Sequence, residues 1–198
     1  MRVTPEMVKE LRELTGAGVL NCKEALETAE GDLDRAQHIL REKGLARAAR
    51  KAEREAKQGL IEGYLHMGKA GALVELNCET DFVARTPEFC ELAHDLAMQV
   101  VATRPQYVRP EDIPAQVLEQ ETEKYRAERA YESKPEHVME RIIEGKLEKF
   151  REGACILSQP FIKDQDKTVQ DVINEAIATI GENIVLRRFV RLGLGGEE

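Results

Sequence analysis

The chain has 198 residues and a net charge of −8, with 29 lysines and arginines against 37 aspartates and glutamates, and it contains no tryptophan. Proteins that bind nucleic acid usually present a basic surface with aromatic rings for base stacking, so this composition favours a protein partner over direct contact with nucleic acid. Because we find no apolar run long enough for a signal peptide or a membrane span, and no CxxC pair among the four cysteines, we expect a cytoplasmic protein with reduced thiols and no membrane contact.

The first 45 residues predict three short helices. Apolar residues recur at helical spacing and are interrupted at Thr15–Gly18 and again at Gly31. Asp32 is a typical cap for the third helix, which we expect to end at Gly44. Three helices of this length close only a small core, so residues 1–45 are expected to form a domain that docks on another surface.

A basic, alanine-rich segment follows at residues 46–58. Residues 41–58 hold seven lysines and arginines against three glutamates. Alanine and arginine are strong helix formers, which predicts a solvated linker helix. The alternative is an RNA-binding helix at Arg47–Lys57, whose affinity would fall steeply with salt.

From Gly59 onward the pattern changes to that of an α+β core, residues 59–198. The predicted elements are strands at Leu60–His66 and Ala72–Cys78 that form a hairpin, a helix capped by Thr86, helices at Pro114–Tyr131 and Pro135–Glu152, a short strand near Ala154–Leu157, a helix from the Thr168 cap to Ile180, and a strand at Asn183–Leu192. Together they predict an antiparallel sheet of about three strands with helices against one face.

Residue patterns that carry enzymatic chemistry are scarce in this sequence. Neither serine, Ser133 or Ser158, lies in a GxSxG elbow, and there is no GxxxxGK[ST] loop for phosphate. Cys90 and His94 are four residues apart, as two metal ligands can be, but no second close pair accompanies them. We therefore expect a structural cysteine and a surface histidine, no metal or cofactor, and no bond chemistry.

The segment Thr80–Val83 has two interpretations. It follows a strand and precedes a capped helix, where a short turn is exposed. In the first interpretation Thr80 caps a helical turn while Phe82 and Val83 pack inward. In the second the segment is a projecting wedge, in which the Asp81 carboxylate lies beside an aromatic ring.

Several segments together resemble the elongation factor Ts family. They are Leu11–Gly18 with Cys22-Lys23 and Ala25-Leu26, Glu75–Ala84, Gly145-Lys146 to Phe150, Gln159-Pro160-Phe161 and Ile180–Ile184. The match covers essentially the whole chain, and two of its motifs are about ten residues long. The resemblance implies a guanine-nucleotide exchange factor for elongation factor Tu, the GTPase of bacterial translation elongation.

The resemblance also implies how the two proteins meet. The three helices would form a ubiquitin-associated-like domain that docks on the GTPase, with Arg12, Leu20 and Lys23 at the contact surface. The loop of Thr80, Asp81, Phe82 and Val83 would enter beside the partner's Mg²⁺ and nucleotide. Leu20 stands where methionine is common in the family, a volume-conserving change that should preserve an apolar contact.

Chain length adds one more expectation. Longer members of the family have a second core subdomain, a coiled-coil insertion and a C-terminal helical module, and 198 residues with the short tail Gly193–Glu198 leave no room for them all. The chain resembles the short form, in which a homodimer binds two GTPases. The alternative function is a helical adaptor that binds a partner without promoting exchange.

Overall fold

The computed structural model describes residues 3–128 and 135–196. Within them the chain forms an α+β fold of helices with a three-stranded antiparallel sheet and a two-stranded sheet, which confirms the predicted class. The helices are α1 (Pro5–Thr15), α2 (Val19–Thr28), α3 (Leu33–Lys51), α4 (Pro87–Thr103), α5 (Ala115–Arg126), α6 (Glu136–Ala154) and α7 (Val169–Ile180). The strands are β1 (Gln58–His66), β2 (Ala70–Cys78), β3 (Pro160–Phe161), β4 (Asp164–Thr168) and β5 (Val185–Gly193).

The chain divides into two compact units, and each is assembled from separate stretches of sequence. The first unit consists of Met1–Ile61, Glu75–Ala93 and Asp171–Leu186. The second consists of Glu62–Val74, His94–Gln170 and Arg187–Glu198. These units follow proximity in space rather than chain order, and the domain boundaries after residues 45 and 58 stay a prediction.

Local capping signals set both ends of α1 and the start of α3. The Thr4 hydroxyl accepts a hydrogen bond from the Met7 N–H at 3.4 Å, and the Asp32 carboxylate accepts one from the Arg35 N–H at 3.0 Å. Gly16 ends α1 in the left-handed conformation at φ +65°, which glycine adopts without steric cost. The buried residues that the three helices share are few and mostly small: Leu11, Cys22, Ala25, Leu26, Ala29 and Ala36.

The third helix differs from its prediction, because α3 continues through Gly44 to Lys51. The predicted helix end at Gly44 is wrong. Residues 46–51 are the last turns of α3, and residues 52–57 form a turn and an irregular segment that leads to β1. A single glycine inside a helix costs only about 1 kcal/mol relative to alanine, so other contacts of α3 outweigh it.

Those contacts are with α7, within the first unit. The Arg41 guanidinium lies 3.2 Å from the Asp171 carboxylate, and the Lys51 ammonium donates a hydrogen bond to the Gly181 carbonyl just after α7. A Cβ at position 44 would lie only 3.3 Å from the Cβ of Ala178. Gly44 therefore permits close approach of two helices where we predicted a break.

The predicted hairpin is present, with residues 67–69 as its turn and β2 as the middle strand between β1 and β5. Two leucines on its outer face lie over glycines of the opposite strand. A Cβ at Gly63 would lie 2.9 Å from Leu73 Cδ2, and one at Gly71 would lie 3.2 Å from Leu65 Cδ1. The opposite face of β2, which carries Ala72, Val74, Leu76 and Cys78, is buried.

In the second unit the structure corrects two predictions. α5 ends at Arg126 instead of continuing, and Tyr131, its predicted end, lies outside the described residues. The predicted strand near Ala154–Leu157 is wrong, because the end of α6 and a short 3₁₀ helix (Ile156–Ser158) occupy this stretch. Cys155 makes a single bridge to Tyr107 there.

A two-stranded sheet, formed by β3 and β4, follows the 3₁₀ helix. The fully buried side chain of Gln99, from α4, makes hydrogen bonds to β3 and to the connection that follows it. The Gln99 amide nitrogen donates to the Pro160 carbonyl at 3.0 Å, and its amide oxygen accepts from the Ile162 N–H at 2.8 Å. Strand β4 is polar throughout, so it has no apolar alternation from which it could be predicted.

Candidate functional site

The segment Thr80–Val83 forms an exposed turn between β2 and α4. It leads into a short 3₁₀ helix, Val83–Arg85, that precedes the start of α4. The Thr80 hydroxyl accepts a hydrogen bond from the Val83 N–H at 3.4 Å, and the Thr80 carbonyl accepts one from the Ala84 N–H at 3.3 Å. Thr80 therefore caps this turn, as the first of the two interpretations expects.

Phe82 projects from the turn into solvent. It is 81% exposed, whereas Val83 is half-buried and Ala84 is buried. The interpretation in which Phe82 packs inward is therefore wrong, and the geometry is that of a projecting aromatic ring beside a carboxylate. Burial of such a ring against an apolar surface is worth about 1.5–3 kcal/mol, which makes Phe82 a strong candidate for a contact with a partner.

The Asp81 carboxylate forms an ion pair on the surface. Its Oδ2 atom lies 3.1 Å from Nη2 of Arg85, one helical turn further along the chain. Both side chains are more than half exposed. Exposed pairs of this kind contribute about 0–1 kcal/mol, so Asp81 can exchange Arg85 for another partner at small cost.

The base of the turn is held by the Glu182 carboxylate, which comes from the segment after α7. Its Oε2 atom accepts the N–H groups of Glu79 at 3.1 Å and Thr80 at 3.0 Å. Its Oε1 atom accepts the Thr80 hydroxyl at 2.7 Å. One carboxylate thus satisfies two backbone donors that lie just beyond the end of β2.

The same two segments make a reciprocal contact. The Asn183 N–H donates to Oε1 of Glu79 at 2.7 Å, while Oε2 of Glu79 lies 3.6 Å from the Arg54 guanidinium. The Asn183 side chain donates to the Arg54 carbonyl at 2.7 Å. Residues just beyond the end of α3 are therefore connected to the base of the exposed turn.

Two thiols lie beneath the turn and donate to its carbonyl groups. Cys78 Sγ lies 3.1 Å from the Thr80 oxygen, and Cys90 Sγ lies 3.7 Å from the Ala84 oxygen. Burial raises the pKa of the Cys78 thiol to about 11, and the negative charge of Glu182 acts in the same direction. Cys78 therefore keeps its proton at neutral pH and remains a hydrogen-bond donor.

Sequence reasoning assigned no role to Glu79, Glu182 or Asn183. The hydrogen bonds between the two segments join residues 102 to 104 positions apart. Neither apolar periodicity nor capping rules report a polar contact between two loops at that separation. The one available signal was that Ile180–Ile184 is among the segments that carry the family resemblance.

The three predicted docking residues lie on α1 and α2, and all three are exposed. Nζ of Lys23 lies 3.8 Å from Oε1 of Glu27, one turn further along α2. Leu20 is 69% exposed, and the nearby Leu14 and Val19 are more than half exposed as well. The end of α1 and the start of α2 thus combine exposed apolar side chains with basic ones, including Arg12.

The metal-like pair Cys90 and His94 has other partners. Cys90 donates to the Ala84 carbonyl, as described above, and Nδ1 of His94 lies 3.1 Å from Oε1 of Glu62. Among residues 3–128 and 135–196 we find no group of three histidine, cysteine or acidic side chains that could hold a metal ion. In the same part of the chain, no helix is both long enough and apolar enough to cross a membrane.

Comparison with known proteins gives one consistent result. The family model described as "Elongation factor TS" matches residues 6–176. The chain is 56% identical to the elongation factor Ts of Thermodesulfovibrio yellowstonii over 195 residues, which are 98% of each chain. It is 57% identical to that of Carboxydothermus hydrogenoformans over 98% of this chain and 89% of the relative. With that of Thermotoga neapolitana it shares 56% identity over the full length of both.

Proposed function

The chain belongs to the elongation factor Ts family, and from that premise we propose that it promotes GDP release from elongation factor Tu. Membership supports a role in translation elongation with this GTPase as the partner. The proposal adds how the chain acts: the turn of Thr80, Asp81, Phe82 and Val83 enters beside the Mg²⁺ and the nucleotide of the partner. No covalent bond is made or broken by this chain.

The observation that carries the proposal is the exposure of Phe82 on a turn whose base is fixed. A GTPase holds GDP through phosphate contacts and a bridging Mg²⁺, so release requires that these contacts weaken. The Phe82 ring gains about 1.5–3 kcal/mol on burial, and it obtains that gain only where the partner opens an apolar site. The opened state, which holds GDP weakly, is thereby favoured.

Asp81 acts on the polar side of the same site. We assign it to disturb hydrogen bonds or ordered water around the metal rather than to bind the ion, because one more carboxylate on Mg²⁺ would tighten its binding. The ion pair with Arg85 is exposed and weak, so it does not prevent Asp81 from contacting the partner.

Thermodynamic linkage sets how large the effect of Phe82 can be. If the chain lowers the GDP affinity of its partner by some factor, GDP lowers the affinity of the chain by the same factor. Each factor of ten corresponds to about 1.4 kcal/mol, so one aromatic ring supplies roughly one to two powers of ten. Any larger acceleration has to come from the remaining contact surface.

We assign docking to the exposed side chains of α1 and α2. Leu20 supplies an apolar contact, and Arg12 and Lys23 supply positive charge, with Leu14 and Val19 extending the apolar area. Docking at this surface raises the local concentration of the turn without itself changing GDP affinity. Docking and exchange are then separate parts of one binding event.

We further propose that two copies of the chain associate and bind two GTPases. Support comes from exposed apolar side chains on neighbouring strands of the second unit: Leu65 on β1, Leu73 on β2, and Val190 and Leu192 on β5. Each of them is at least half exposed. Apolar side chains on adjacent strands form the kind of continuous patch that a second copy covers.

Release of a fluorescent GDP from elongation factor Tu, followed by stopped flow at increasing factor concentration, tests the proposal. We expect Phe82→Ala to lower the maximal release rate by roughly ten- to a hundredfold. Met67→Ala is the matched control, because Met67 is also more than four-fifths exposed but lies in the hairpin turn of the second unit. An unchanged rate for Phe82→Ala would contradict the wedge.

The same experiment separates exchange from the alternatives. An adaptor would bind elongation factor Tu, detected by gel filtration, and leave the rate of GDP release unchanged. An RNA-binding protein acting through Arg47–Lys57 would bind RNA with an affinity that falls steeply as salt is added. Either result in place of accelerated release would overturn the proposed function.

A further inference from the structure

The turn that carries Phe82 depends on a carboxylate from a distant part of the chain. The ladder of β2 ends at Cys78, and the next two N–H groups, those of Glu79 and Thr80, both donate to Glu182. Hydrogen bonds to a charged acceptor are shorter and stronger than neutral ones. The direction in which the chain leaves the sheet, two residues before Phe82, is therefore set by Glu182.

The hydroxyl of Thr80 extends this control across the turn. It donates to Oε1 of Glu182 at 2.7 Å and accepts from the Val83 N–H at 3.4 Å. Asp81 and Phe82 lie between these two contacts in the sequence. Glu182 thus holds one end of the turn directly and the other end through Thr80.

We propose that Glu182 is a positioning residue for exchange, which holds the Phe82 turn in the conformation that enters the partner. The inference rests on the proposed function of Phe82 and adds a residue to it. In this role Glu182 acts through the turn rather than by contact with the nucleotide or the metal. By holding the turn in one conformation before binding, it reduces the conformational entropy that the turn loses when it binds.

The segment that carries Glu182 is fixed from its other side by α3 and the residues that follow it. The Gly181 carbonyl accepts a hydrogen bond from the Lys51 ammonium, and the side-chain amide of Asn183 donates one to the Arg54 carbonyl at 2.7 Å. The Asn183 N–H also returns a hydrogen bond to the Glu79 carboxylate at 2.7 Å. The residues on both sides of Glu182 are therefore themselves held in place by hydrogen bonds.

A positioning role and a merely structural brace predict different kinetics. If Glu182 acts through Phe82, its removal lowers the maximal release rate and changes the half-saturating concentration little, because α1 and α2 still dock. Removal of both side chains then costs less than the sum of the two separate losses, because Phe82 is one of the side chains that Glu182 positions. A brace that only stabilises the fold gives effects that add to those of Phe82.

The first experiment is this double-mutant cycle, with GDP release from elongation factor Tu as the readout. We expect Glu182→Ala to lower the maximal rate about tenfold, close to 1.4 kcal/mol. Glu182→Gln should lower the maximal rate less, because the single amide oxygen of glutamine can still accept a hydrogen bond from a backbone N–H. The combined Glu182→Ala and Phe82→Ala variant should lose less than the two single losses added as free energies, because part of the Glu182 effect acts through Phe82. Glu140→Gln, which changes an exposed glutamate on α6, is the control and should behave as the parent chain.

The cycle also distinguishes the two proposals. If Phe82→Ala slows release and Glu182→Ala does not, the positioning role is wrong while the wedge stands. If Phe82→Ala has no effect, the wedge itself fails. Fully additive losses would mean that Glu182 stabilises the fold without acting through Phe82, which overturns the inference.

A second measurement needs no partner and so is independent of exchange. The chain has no tryptophan, so Phe82→Trp introduces a single fluorescent reporter on the turn. We expect the fluorescence anisotropy of this indole to decay faster when Glu182→Ala is added, while the thermal unfolding midpoint shows that the fold persists. An identical decay with and without the Glu182 carboxylate would contradict the proposal.

Discussion

Asp81 and Phe82 are neighbours on one turn, but contact with a partner would change the free energies of the two side chains differently. The carboxylate of Asp81 already has Arg85 at 3.1 Å, whereas the Phe82 ring is surrounded mostly by water. Transfer of the ring to an apolar contact is favourable by itself, but transfer of the carboxylate from one polar partner to another is nearly neutral. We therefore assign affinity for the opened GTPase to Phe82 and the disturbance of the metal site to Asp81.

That assignment predicts how Asp81→Ala behaves. We expect slower GDP release from elongation factor Tu at saturating factor, because the charge near the metal is lost while Phe82 remains. The free energy of unfolding, measured with urea, should change by less than about 1 kcal/mol, since only an exposed ion pair is removed.

Arg85→Ala is the matched control for Asp81→Ala. It removes the same ion pair but keeps the carboxylate, so release should be as fast as with the parent chain. Equal slowing by both substitutions would mean that the ion pair matters and not the charge of Asp81.

At the scale of elements, the sequence predicted those parts of the fold whose signals are local. The start of α4 is an example: the Thr86 hydroxyl accepts the Phe89 N–H at 3.3 Å, and Pro87 is its first residue, as predicted. The two errors at Gly44 and near Ala154–Leu157 have one cause. In both, contacts with distant residues decide the local conformation, and α7 is such a partner for Gly44.

For the candidate site, too, only the part with local sequence signals could be predicted. The exposed tetrapeptide could be located from the sequence because it lies between a strand end and a helix cap. Its support by Glu182 could not, because hydrogen bonds between segments 102 residues apart leave no periodic pattern. Neither the apolar periodicity nor the caps specify whether Phe82 points inward or projects, so the sequence left that choice open.

Gly44 in α3 and Gly145 in α6 should respond differently to substitution by alanine. Gly145 in α6 has no heavy atom within 4 Å of the position that a Cβ would occupy, so Gly145→Ala should raise the free energy of unfolding by about 1 kcal/mol. At Gly44 the new Cβ would lie 3.3 Å from Ala178, and crowding should cancel this gain. Urea unfolding of both variants measures the difference, and equal stabilisation would show that α3 and α7 are not closely packed there.

At the scale of the whole molecule, charge and apolar surface act in opposite directions on self-association. Residues 1–58 hold 12 basic and 11 acidic side chains, so the acid excess lies in residues 59–198, with 17 against 26. Each copy carries a net charge of −8, so two copies repel each other over long range. Association has to come from burial of apolar side chains, and added salt should strengthen it by screening the repulsion.

The dimer proposal can be tested with Leu73→Glu. Leu73 lies on the middle strand of the three-stranded sheet and is half exposed, so the substitution should leave the folded chain intact. In a dimer, however, it would bury an unpaired carboxylate at the centre of an apolar contact, which costs several kcal/mol. We expect sedimentation equilibrium to give the parent chain twice its 22.3 kDa mass, more completely at high salt, and to give the variant 22.3 kDa. Met67→Glu adds the same charge in the exposed hairpin turn and should remain dimeric. A parent chain that sediments as a monomer, or a dimer unaffected by Leu73→Glu, would refute association through this face.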